Sequence, residues 1–409
     1  MRGPIHAVMF TPETYGGHAR YTWELMCALR ASAPRSELNL SLVTSTNLER
    51  EFREADYTIY EVLPPLHEGP FSNRLHWAGS RVAHYSRRDA ILFRFLRDLG
   101  DVDVVHYQEP PLFPSYYYTR LRRLGMHPLF TVHNLLPHRD VVPGTGWLTK
   151  RLSTVAWRRC SALFVHSDGL RQQLLKRIGG GAPPIVSVPH GLWRVSPVSQ
   201  PTSEDRLRRR QLLLFGALRR NKGIDLTLDA LRHVPGARLT IAGQFESATL
   251  RDEILARLRD KTLPVRLIDR FIPEDEAAKL FAESTLAVLS YTNFHAQSGV
   301  LHLALSHGVP VVVTDVGALG EFVRTEQVGT VSPPHDASAL AQAIVRALEP
   351  GTYETSRQNC LRLSASLSWK EAAERTLRCY QDVLSAQPVG SGAAPRLQRQ
   401  PGASEGTPI

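Results

Sequence analysis

Residues 214–225 read Leu-Phe-Gly-Ala-Leu-Arg-Arg-Asn-Lys-Gly-Ile-Asp, and this stretch is the strongest local indication of the fold. An apolar run ends at Gly216, a basic turn follows, and a helix-like segment begins near Asp225. A buried strand that turns directly into a helix is the repeating unit of α/β proteins. Arg219 and Lys222 would then lie beside a helix N-terminus, an arrangement that suits a diphosphate. The alternative interpretation is a basic, solvated turn without a ligand.

The same strand–turn–helix unit recurs along the chain. Its apolar runs are continuous rather than alternating, which is typical of strands covered on both faces in a parallel sheet. The first series comprises Ile5–Phe10, Leu38–Val43, Val102–Tyr107, Leu129–His133, Ala162–His166 and Ile185–Val188, and the second comprises Leu212–Phe215, Arg238–Ala242, Val265–Ile268, Leu286–Leu289, Val309–Thr314 and Gly329–Val331. The sequence therefore predicts an α/β protein with two Rossmann-like, doubly wound parallel sheets in tandem.

Composition shifts suggest where these two domains begin and end. Residues 1–195 are predicted to form the first domain and residues 211–368 the second. Between them, residues 196–210 are rich in Pro, Ser, Gln and Arg and are predicted to be a linker. The tail at 387–409 has almost no large apolar residue, so disorder is expected there. Ligands of such sheets bind beyond the carboxyl ends of the strands, which points to the cleft between the domains.

The charge and the cysteine content of the chain limit which partners and which cellular compartment are expected. The chain has 49 Lys and Arg against 39 Asp and Glu, a net charge of +10, which favours polyanionic partners. Solvated helix faces and a linker are the first interpretation of this charge, peripheral contact with an anionic membrane surface is the second, and nucleic acid is not expected. The cysteines at 27, 160, 360 and 379 are far apart, and no apolar run reaches 18 residues. A cytoplasmic protein, or one peripheral on the inner face of the membrane, is therefore expected.

Two segments of the first domain carry candidate ligand-binding residues. Gly16 and Gly17 lie where the first strand turns into a helix, so the backbone there can approach an anion closely. His133 and Asn134 stand at the carboxyl end of a predicted strand, the edge that faces the cleft. A ligand-free tight turn and a structural histidine are the alternative interpretations. Histidines at 106, 166 and 190 also end predicted strands, and most of these four are expected to be wall residues.

The second domain carries the remaining candidates. Gln297, Ser298 and Gly299 precede a helix whose N–H groups could bind phosphate. Glu321 follows a glycine turn and is suited to hold hydroxyls of a sugar or a ribose. Helix capping and turn formation would explain the same residues without a ligand.

Together these segments resemble the GT-B glycosyltransferases of family 4, a large retaining group, over nearly the whole chain to about residue 385. Gly16-Gly17 is similar to the family's Gly-Gly loop, and His133 to its strand-end histidine near the donor sugar. Residues 215–223 resemble the "FGxxRxxKG" element whose Arg and Lys hold the donor diphosphate. Residues 309–321 resemble the family's Pro-Val-Val, glycine and glutamate pattern. The resemblance also implies that a helix at 369–386 returns to the first domain.

One part of the chain departs from the family pattern. Many family 4 enzymes carry two glutamates eight positions apart, and the corresponding residues here are His295 and Leu303. The run Gln-Ser-Gly-Val at 297–300 is similar to a subgroup with that motif at this point. Since the second glutamate usually binds the ribose hydroxyls, ribose recognition is expected to differ in this chain.

The resemblance implies a glycosyltransferase that moves a sugar from a nucleotide-sugar donor to a glycan or lipid-linked acceptor, with retention, in polysaccharide or glycolipid biosynthesis. His133, Arg219 and Lys222 would be catalytic, and Gly16, Gly17, Asn134, Gly216, Gln297, Ser298, Gly299 and Glu321 would bind substrate. No metal or other cofactor is expected, since fixed positive groups can stabilise the leaving diphosphate and no Asp-x-Asp pair lies in a suitable loop. The alternatives are a non-catalytic GT-B protein that binds nucleotide or glycan, and a sugar-nucleotide epimerase.

Overall fold

Two parallel β-sheets form the frame of the protein. The computed structural model describes residues 3–12, 16–46, 56–65, 74–133, 135, 146–193, 201–259, 262–293 and 298–386. The first sheet contains β1 (Ile5–Phe10), β2 (Leu38–Ser45), β3 (Thr58–Leu63), β4 (Val104–Tyr107), β5 (His127–Thr131), β6 (Ala162–Val165) and β7 (Ile185–Ser187). The second contains β8 (Gln211–Phe215), β9 (Arg238–Ala242), β10 (Val265–Ile268), β11 (Leu286–Leu289), β12 (Val311–Thr314) and β13 (Gly329–Ser332). The two predicted parallel sheets are confirmed.

Helices cover both faces of each sheet. Those of the first lobe, the part built on β1–β7, are α1 (Gly16–Ser32), α2 (Arg74–Leu99), α3 (Pro114–Arg123), α4 (Gly146–Trp157) and α5 (Asp168–Ile178). Those of the second lobe, built on β8–β13, are α6 (Ser203–Arg209), α7 (Ile224–Leu231), α8 (Ala248–Leu258), α9 (Glu274–Glu283), α10 (Gly299–Ser306), α11 (Leu319–Glu326), α12 (Ala337–Ala347) and α13 (Pro350–Ser366). The last helix is α14 (Trp369–Ser385).

Strand order positions the site. The first sheet runs β3-β2-β1-β4-β5-β6-β7 and the second β10-β9-β8-β11-β12-β13. In the first sheet, β1 to β3 follow one another toward one edge, and β4, which pairs with β1, begins a second series toward the other edge. In the second sheet, β8 to β10 and the series from β11 are arranged in the same way, with β11 paired to β8. The loops beyond these two strand pairs diverge and leave a crevice, which is where ligands bind in open α/β sheets.

The edge strand β3 was not predicted from the sequence. Its residues, Thr-Ile-Tyr-Glu-Val-Leu, mix polar and apolar side chains, and five of the six are exposed or half-buried. A strand at the edge of a sheet has one open side, so it does not need the continuous apolar run by which the other strands were recognised. The strand β5 also ends at Thr131 rather than at His133, so that histidine lies in the loop beyond the strand.

Part of the predicted linker is a packed helix of the second lobe. The helix α6 begins after Thr202, whose side chain accepts a hydrogen bond from the backbone N–H of Asp205 at 3.1 Å. Its Arg206 is fully buried and donates to the carbonyl oxygens of Phe281 (3.2 Å) and Ser284. Burial lowers the pKa of Arg206 to about 10. A guanidinium group can be buried when carbonyl oxygens accept its hydrogen bonds. The prediction that the Arg-rich residues 196–210 form a linker is therefore wrong for 203–209.

The last helix packs against the first lobe. Buried residues of α14, from Trp369 to Leu384, lie in one apolar cluster with the buried face of α1. Trp369 Nε1 donates to the carbonyl oxygen of Leu192 at 2.7 Å. A Cβ placed on Gly191 would lie 2.6 Å from the Trp369 ring, so only glycine allows this approach. The chain therefore leaves the first lobe and returns to it at the same place.

Candidate active site

The second-lobe part of the site lies beyond β8 and β11. Lys222 Nζ donates to the Tyr291 hydroxyl at 2.8 Å and lies 4.5 Å from the centre of that ring. The Tyr291 hydroxyl is in turn 2.9 Å from Ser298 Oγ. Because an ammonium group only donates, the tyrosine oxygen accepts from Lys222 and its own proton is available to Ser298. These three side chains, Lys222, Tyr291 and Ser298, form one connected group that is called the lysine cluster below.

Two glycines shape the turn that carries Lys222. Gly216 ends β8 with φ +94°, and a Cβ there would lie 3.2 Å from Val300 Cγ2 and 3.7 Å from Lys222 Nζ. Gly223 has φ +63°, and a Cβ there would lie 2.0 Å from the carbonyl oxygen of Ser290. The short 3₁₀ turn Arg220–Lys222 between them is anchored by Ser290 Oγ, which donates to the Lys222 carbonyl oxygen at 2.9 Å. Glycine is required here because the left-handed backbone and the close contact both exclude a side chain.

The N-terminus of α10 meets the lysine cluster. Ser298 is the N-cap, and its Oγ accepts a hydrogen bond from the Leu301 backbone N–H at 3.3 Å. The helix end has partial positive charge and free N–H groups, and Lys222 adds a full charge beside it. Such a combination binds an anion such as phosphate.

Neither Arg219 nor Glu321 forms a hydrogen bond or ion pair with the lysine cluster. Arg219 is exposed and lines a small cavity of about 130 Å³ together with Asp225 and Glu253. The neighbouring Arg220 is bound to Glu253 at 2.8 Å. Glu321 is exposed in the first turn of α11, where its negative charge faces the positive end of the helix. Leu303, at the position where a ribose-binding glutamate was considered, is half-buried and packs against the apolar clusters of both lobes.

The first-lobe wall is built around His133. Its Nε2 is 3.1 Å from Gln108 Oε1, and its Nδ1 is 2.9 Å from His166 Nε2. An amide oxygen only accepts, so His133 Nε2 carries the proton, and Nδ1 accepts from His166. Burial lowers the pKa of His133 well below its usual value and that of His166 to about 3. Both rings are therefore neutral at physiological pH.

A histidine–carboxylate pair covers this wall. His18, on the first turn of α1, stacks on His133 with ring centroids 4.3 Å apart. Its Nδ1 is 3.0 Å from Glu109 Oε1, and both side chains are partly exposed. The ring of Tyr21, one turn further along α1, packs edge-on against His133 and His166. Arg88 donates a hydrogen bond to the carbonyl oxygen of Pro12, two residues after β1.

The structure brings together only part of the predicted residue set. Lys222 and Ser298 belong to the lysine cluster, and Gly216 and Gly299 lie next to it. His133 lies on the first-lobe wall near the first turn of α1, where Gly16 and Gly17 are. Asn134 and Gln297 fall outside the described residues. Sequence reasoning missed Tyr291, His18 and Glu109. Tyr291 and Glu109 each come two residues after a predicted strand, and His18 follows the glycine turn after the first strand. Their positions in the sequence were therefore a usable signal.

No grouping of three or more His, Cys, Asp or Glu side chains suited to a metal ion occurs within the described ranges. In those same ranges no helix is both long and apolar enough to cross a bilayer.

Comparison with known proteins matches both halves of the chain. Residues 15–192 match the model for Glycosyltransferase Family 4, and residues 209–350 match that for Glycosyl transferases group 1. Glycogen synthase from Mycobacterium tuberculosis is 26% identical over 63% of this chain and 62% of its own length. Phosphatidyl-myo-inositol mannosyltransferase from Mycobacterium leprae is 26% identical over 72% of this chain and 76% of its own length. The chain thus spans about six tenths of the length of that glycogen synthase.

The fold agrees with the same group. The crystal structure of Anabaena Alr3699/HepE in complex with UDP and glucose superposes with a TM-score of 0.65 over 94% of this chain and all of that one, at 14% identity. The chain therefore belongs to the family 4 (group 1) glycosyltransferases and has their GT-B architecture.

Proposed function

We propose that the protein transfers a sugar, with retention of anomeric configuration, from a nucleotide-sugar donor to a glycan or lipid-linked acceptor. The observation that carries the proposal is the Lys222 ammonium, which Tyr291 holds at the Ser298 N-terminus of α10. This arrangement binds a diphosphate at the switch point of the second sheet. The names of the relatives, a glycogen synthase and a phosphatidyl-myo-inositol mannosyltransferase, support both kinds of acceptor.

In this proposal, catalysis comes from stabilising the leaving diphosphate. Breaking the bond between C1 and the diphosphate oxygen leaves negative charge on the phosphate and positive character on the sugar. Lys222 and the α10 N-terminus interact more strongly with that developing charge than with the intact donor, so they lower the barrier. Arg219 and Glu321 are proposed to reach the diphosphate and the sugar or ribose hydroxyls, and no metal is required. Arg219 is exposed and forms no ion pair with any described carboxylate, which supports this role.

The first-lobe wall is proposed to hold the donor sugar and the acceptor. The Nε2–H of His133 donates to Gln108, and a sugar hydroxyl could take the place of that amide oxygen. The His18–Glu109 pair is proposed to orient the acceptor hydroxyl, because it is partly exposed and combines a carboxylate with a nitrogen base. Retention then requires the acceptor to attack from the same face as the leaving group, whose oxygen accepts the proton.

The test is a donor screen with the purified protein. Incubation with UDP-, GDP- and ADP-sugars, followed by mass detection of the product, should show hydrolysis or transfer for at least one donor, and EDTA should leave the rate unchanged. The matched variants are Lys222→Ala and Lys279→Ala, the latter an exposed lysine of α9 outside the site. Tight nucleotide binding without turnover on any acceptor would instead support a non-catalytic binding protein. Interconversion of the donor without release of nucleotide would support an epimerase.

A further inference from the structure

Exposed apolar side chains are concentrated on one side of the first lobe. Of the ten large hydrophobic side chains that are exposed in the described chain, six lie on or next to α3 and α4: Leu112, Phe113, Tyr116, Leu124, Leu152 and Val155. Phe113 and Tyr116 are 52% and 53% exposed, and Leu152 is 59% exposed. Single exposed apolar residues are common, but a cluster of this kind indicates an interaction surface.

The two helices present one continuous surface. Tyr118 of α3 and Trp157 of α4 belong to the same buried apolar cluster, so both helices pack on the same face of the first sheet. On α3, Phe113, Tyr116 and Arg120 recur at helical spacing and share one exposed stripe. On α4, Leu152 and Val155 are exposed three positions apart, and the exposed Arg159 lies in the turn that follows the helix. The six apolar residues and the cations between them are called the α3–α4 face below.

The segment of the chain that carries this face is strongly basic. Residues 110–167 contain eight Lys and Arg but one acid, Asp140, so this stretch accounts for seven of the ten net positive charges. Arg120 is held at the Tyr116 hydroxyl (2.5 Å) and over the Phe93 ring (4.5 Å). The remaining exposed cations of the face form no ion pair with a carboxylate of the described ranges: Arg122, Arg123, Lys150, Arg151 and Arg159.

We propose that the α3–α4 face docks onto the surface of an anionic lipid bilayer. Cations attract acidic headgroups, and aromatic and aliphatic side chains beside them enter the headgroup boundary. Phe and Tyr are suited to that depth because each has an apolar body, and Tyr keeps its hydroxyl at the polar level. Nucleic acid fits less well, since a phosphate backbone offers nothing to the exposed side chains of Leu112, Leu124 and Leu152.

The α3–α4 face begins close to the mouth of the cleft. Leu112 and Phe113 follow β4, at the same sheet edge as Glu109. The Leu112 backbone N–H is fixed there by Asp89 at 2.7 Å. A bilayer in contact with this rim would lie next to the mouth of the cleft, where a lipid-linked acceptor has to enter. This consequence rests on the proposed function, whereas docking itself does not require a sugar donor.

The test is co-sedimentation of the full chain with vesicles of phosphatidylcholine alone or with 30% phosphatidylglycerol, at roughly 0.1 M and 0.5 M salt. Binding is expected only to the anionic vesicles and should fall at the higher salt. The double variant Arg122→Gln/Arg123→Gln should bind roughly tenfold to thirtyfold more weakly. Its control, Arg208→Gln/Arg209→Gln on α6, removes the same charge from the second lobe and should bind as the parent does.

A second pair of variants tests the apolar contribution. Phe113→Ser/Tyr116→Ser should bind about tenfold more weakly, whereas Phe271→Ser, at a 66% exposed position of the second lobe, should have no effect. Thermal unfolding of every variant checks that the fold is retained, and Arg122→Lys/Arg123→Lys should restore binding. Equal binding to neutral vesicles, unchanged binding of both double variants, or tighter binding to a 20-base-pair DNA duplex at the same salt would overturn the proposal. Donor turnover, measured with soluble acceptors, is independent of all these outcomes.

Discussion

The imidazole rings of His190 and His302 stack with their centroids 4.1 Å apart and their planes at 29°. His190 belongs to the segment by which the chain leaves the first lobe, and His302 lies on α10, the helix that begins at the lysine cluster. Two hydrogen bonds fix the pair, from His302 Nδ1 to the Ser298 carbonyl oxygen (3.0 Å) and from His190 Nδ1 to the Gly191 carbonyl oxygen (2.7 Å). The stack therefore connects α10, which begins at the lysine cluster of the second lobe, with the segment by which the chain leaves the first lobe.

This stack predicts a loss of stability in mild acid. Burial lowers the pKa of His302 to about 4 and that of His190 well below its usual value. Between pH of about 6.5 and 4 the unfolded chain binds protons that the folded chain does not, so stability is complete above that range and decreases as the pH falls. Each buried histidine contributes up to about 1.4 kcal/mol per pH unit. Urea unfolding at several pH values measures this slope.

The control for the pH experiment is a change that keeps the ring but removes the titration. His302→Phe should make the slope shallower, whereas His233→Phe, at an exposed position, should leave it unchanged. Titration of the carboxylates contributes equally to all three proteins. If His302→Phe and the parent showed the same slope, His302 would not contribute to the acid sensitivity.

Removing the positive charge at the diphosphate site should impair catalysis. Lys222→Ala and Arg219→Ala are each expected to lower kcat/KM by about 10²-fold or more, since each would remove a group that stabilises the leaving charge. Steady-state kinetics with the donor found in the screen provides the measurement, with Lys279→Ala as the control. Because Lys222 does not line the small cavity of Arg219, an unaffected Arg219→Ala enzyme would remove that arginine from the proposed diphosphate site.

Tyr291 is predicted to position Lys222 without supplying charge itself. In Tyr291→Phe the ring under Lys222 remains, but the hydroxyl that joins Lys222 to Ser298 is lost. We expect kcat/KM to fall about tenfold, because one hydrogen bond to a charged group contributes about that much. The unfolding midpoint should change no more than it does in the control variant Tyr353→Phe. Tyr353 is another buried tyrosine of the second lobe, outside the site. A large loss of stability with intact kinetics would assign Tyr291 a purely structural role.

Gly223 is predicted to be intolerant of any side chain. Gly223→Ala should cost more than about 2 kcal/mol, because the left-handed backbone is strained for alanine and its Cβ would overlap the Ser290 carbonyl oxygen. Gly169, in the first turn of α5, has open space around its Cβ position, so Gly169→Ala should change stability by at most about 1 kcal/mol. Denaturant unfolding compares the two. Similar effects at both positions would contradict the proposed constraint on the Lys222 turn.

Local sequence patterns were sufficient for the architecture and for one part of the site. Twelve apolar runs at strand-and-helix spacing, followed by turns, predicted the two sheets, and the Ser298 N-cap and the turn from Gly216 to Gly223 are visible in a few consecutive residues. The run at 309–314 begins two residues before β12, since Pro310 cannot donate to the sheet. The edge strand β3 was not predicted, because a strand with one open side does not need a continuous run of apolar residues.

The sequence by itself determined the α/β fold, the order of the elements and which turns carry glycine and positive charge, because these depend on residues that are neighbours in the chain. Only the tertiary structure decided the partners: His18 with Glu109, 91 positions away, Lys222 with Tyr291, 69 positions away, and His190 with His302. It also decided that Arg219 lines a small cavity to which Lys222 does not contribute. The physical reason is that two parallel sheets place distant loops at one edge, and side-chain packing there selects which groups meet.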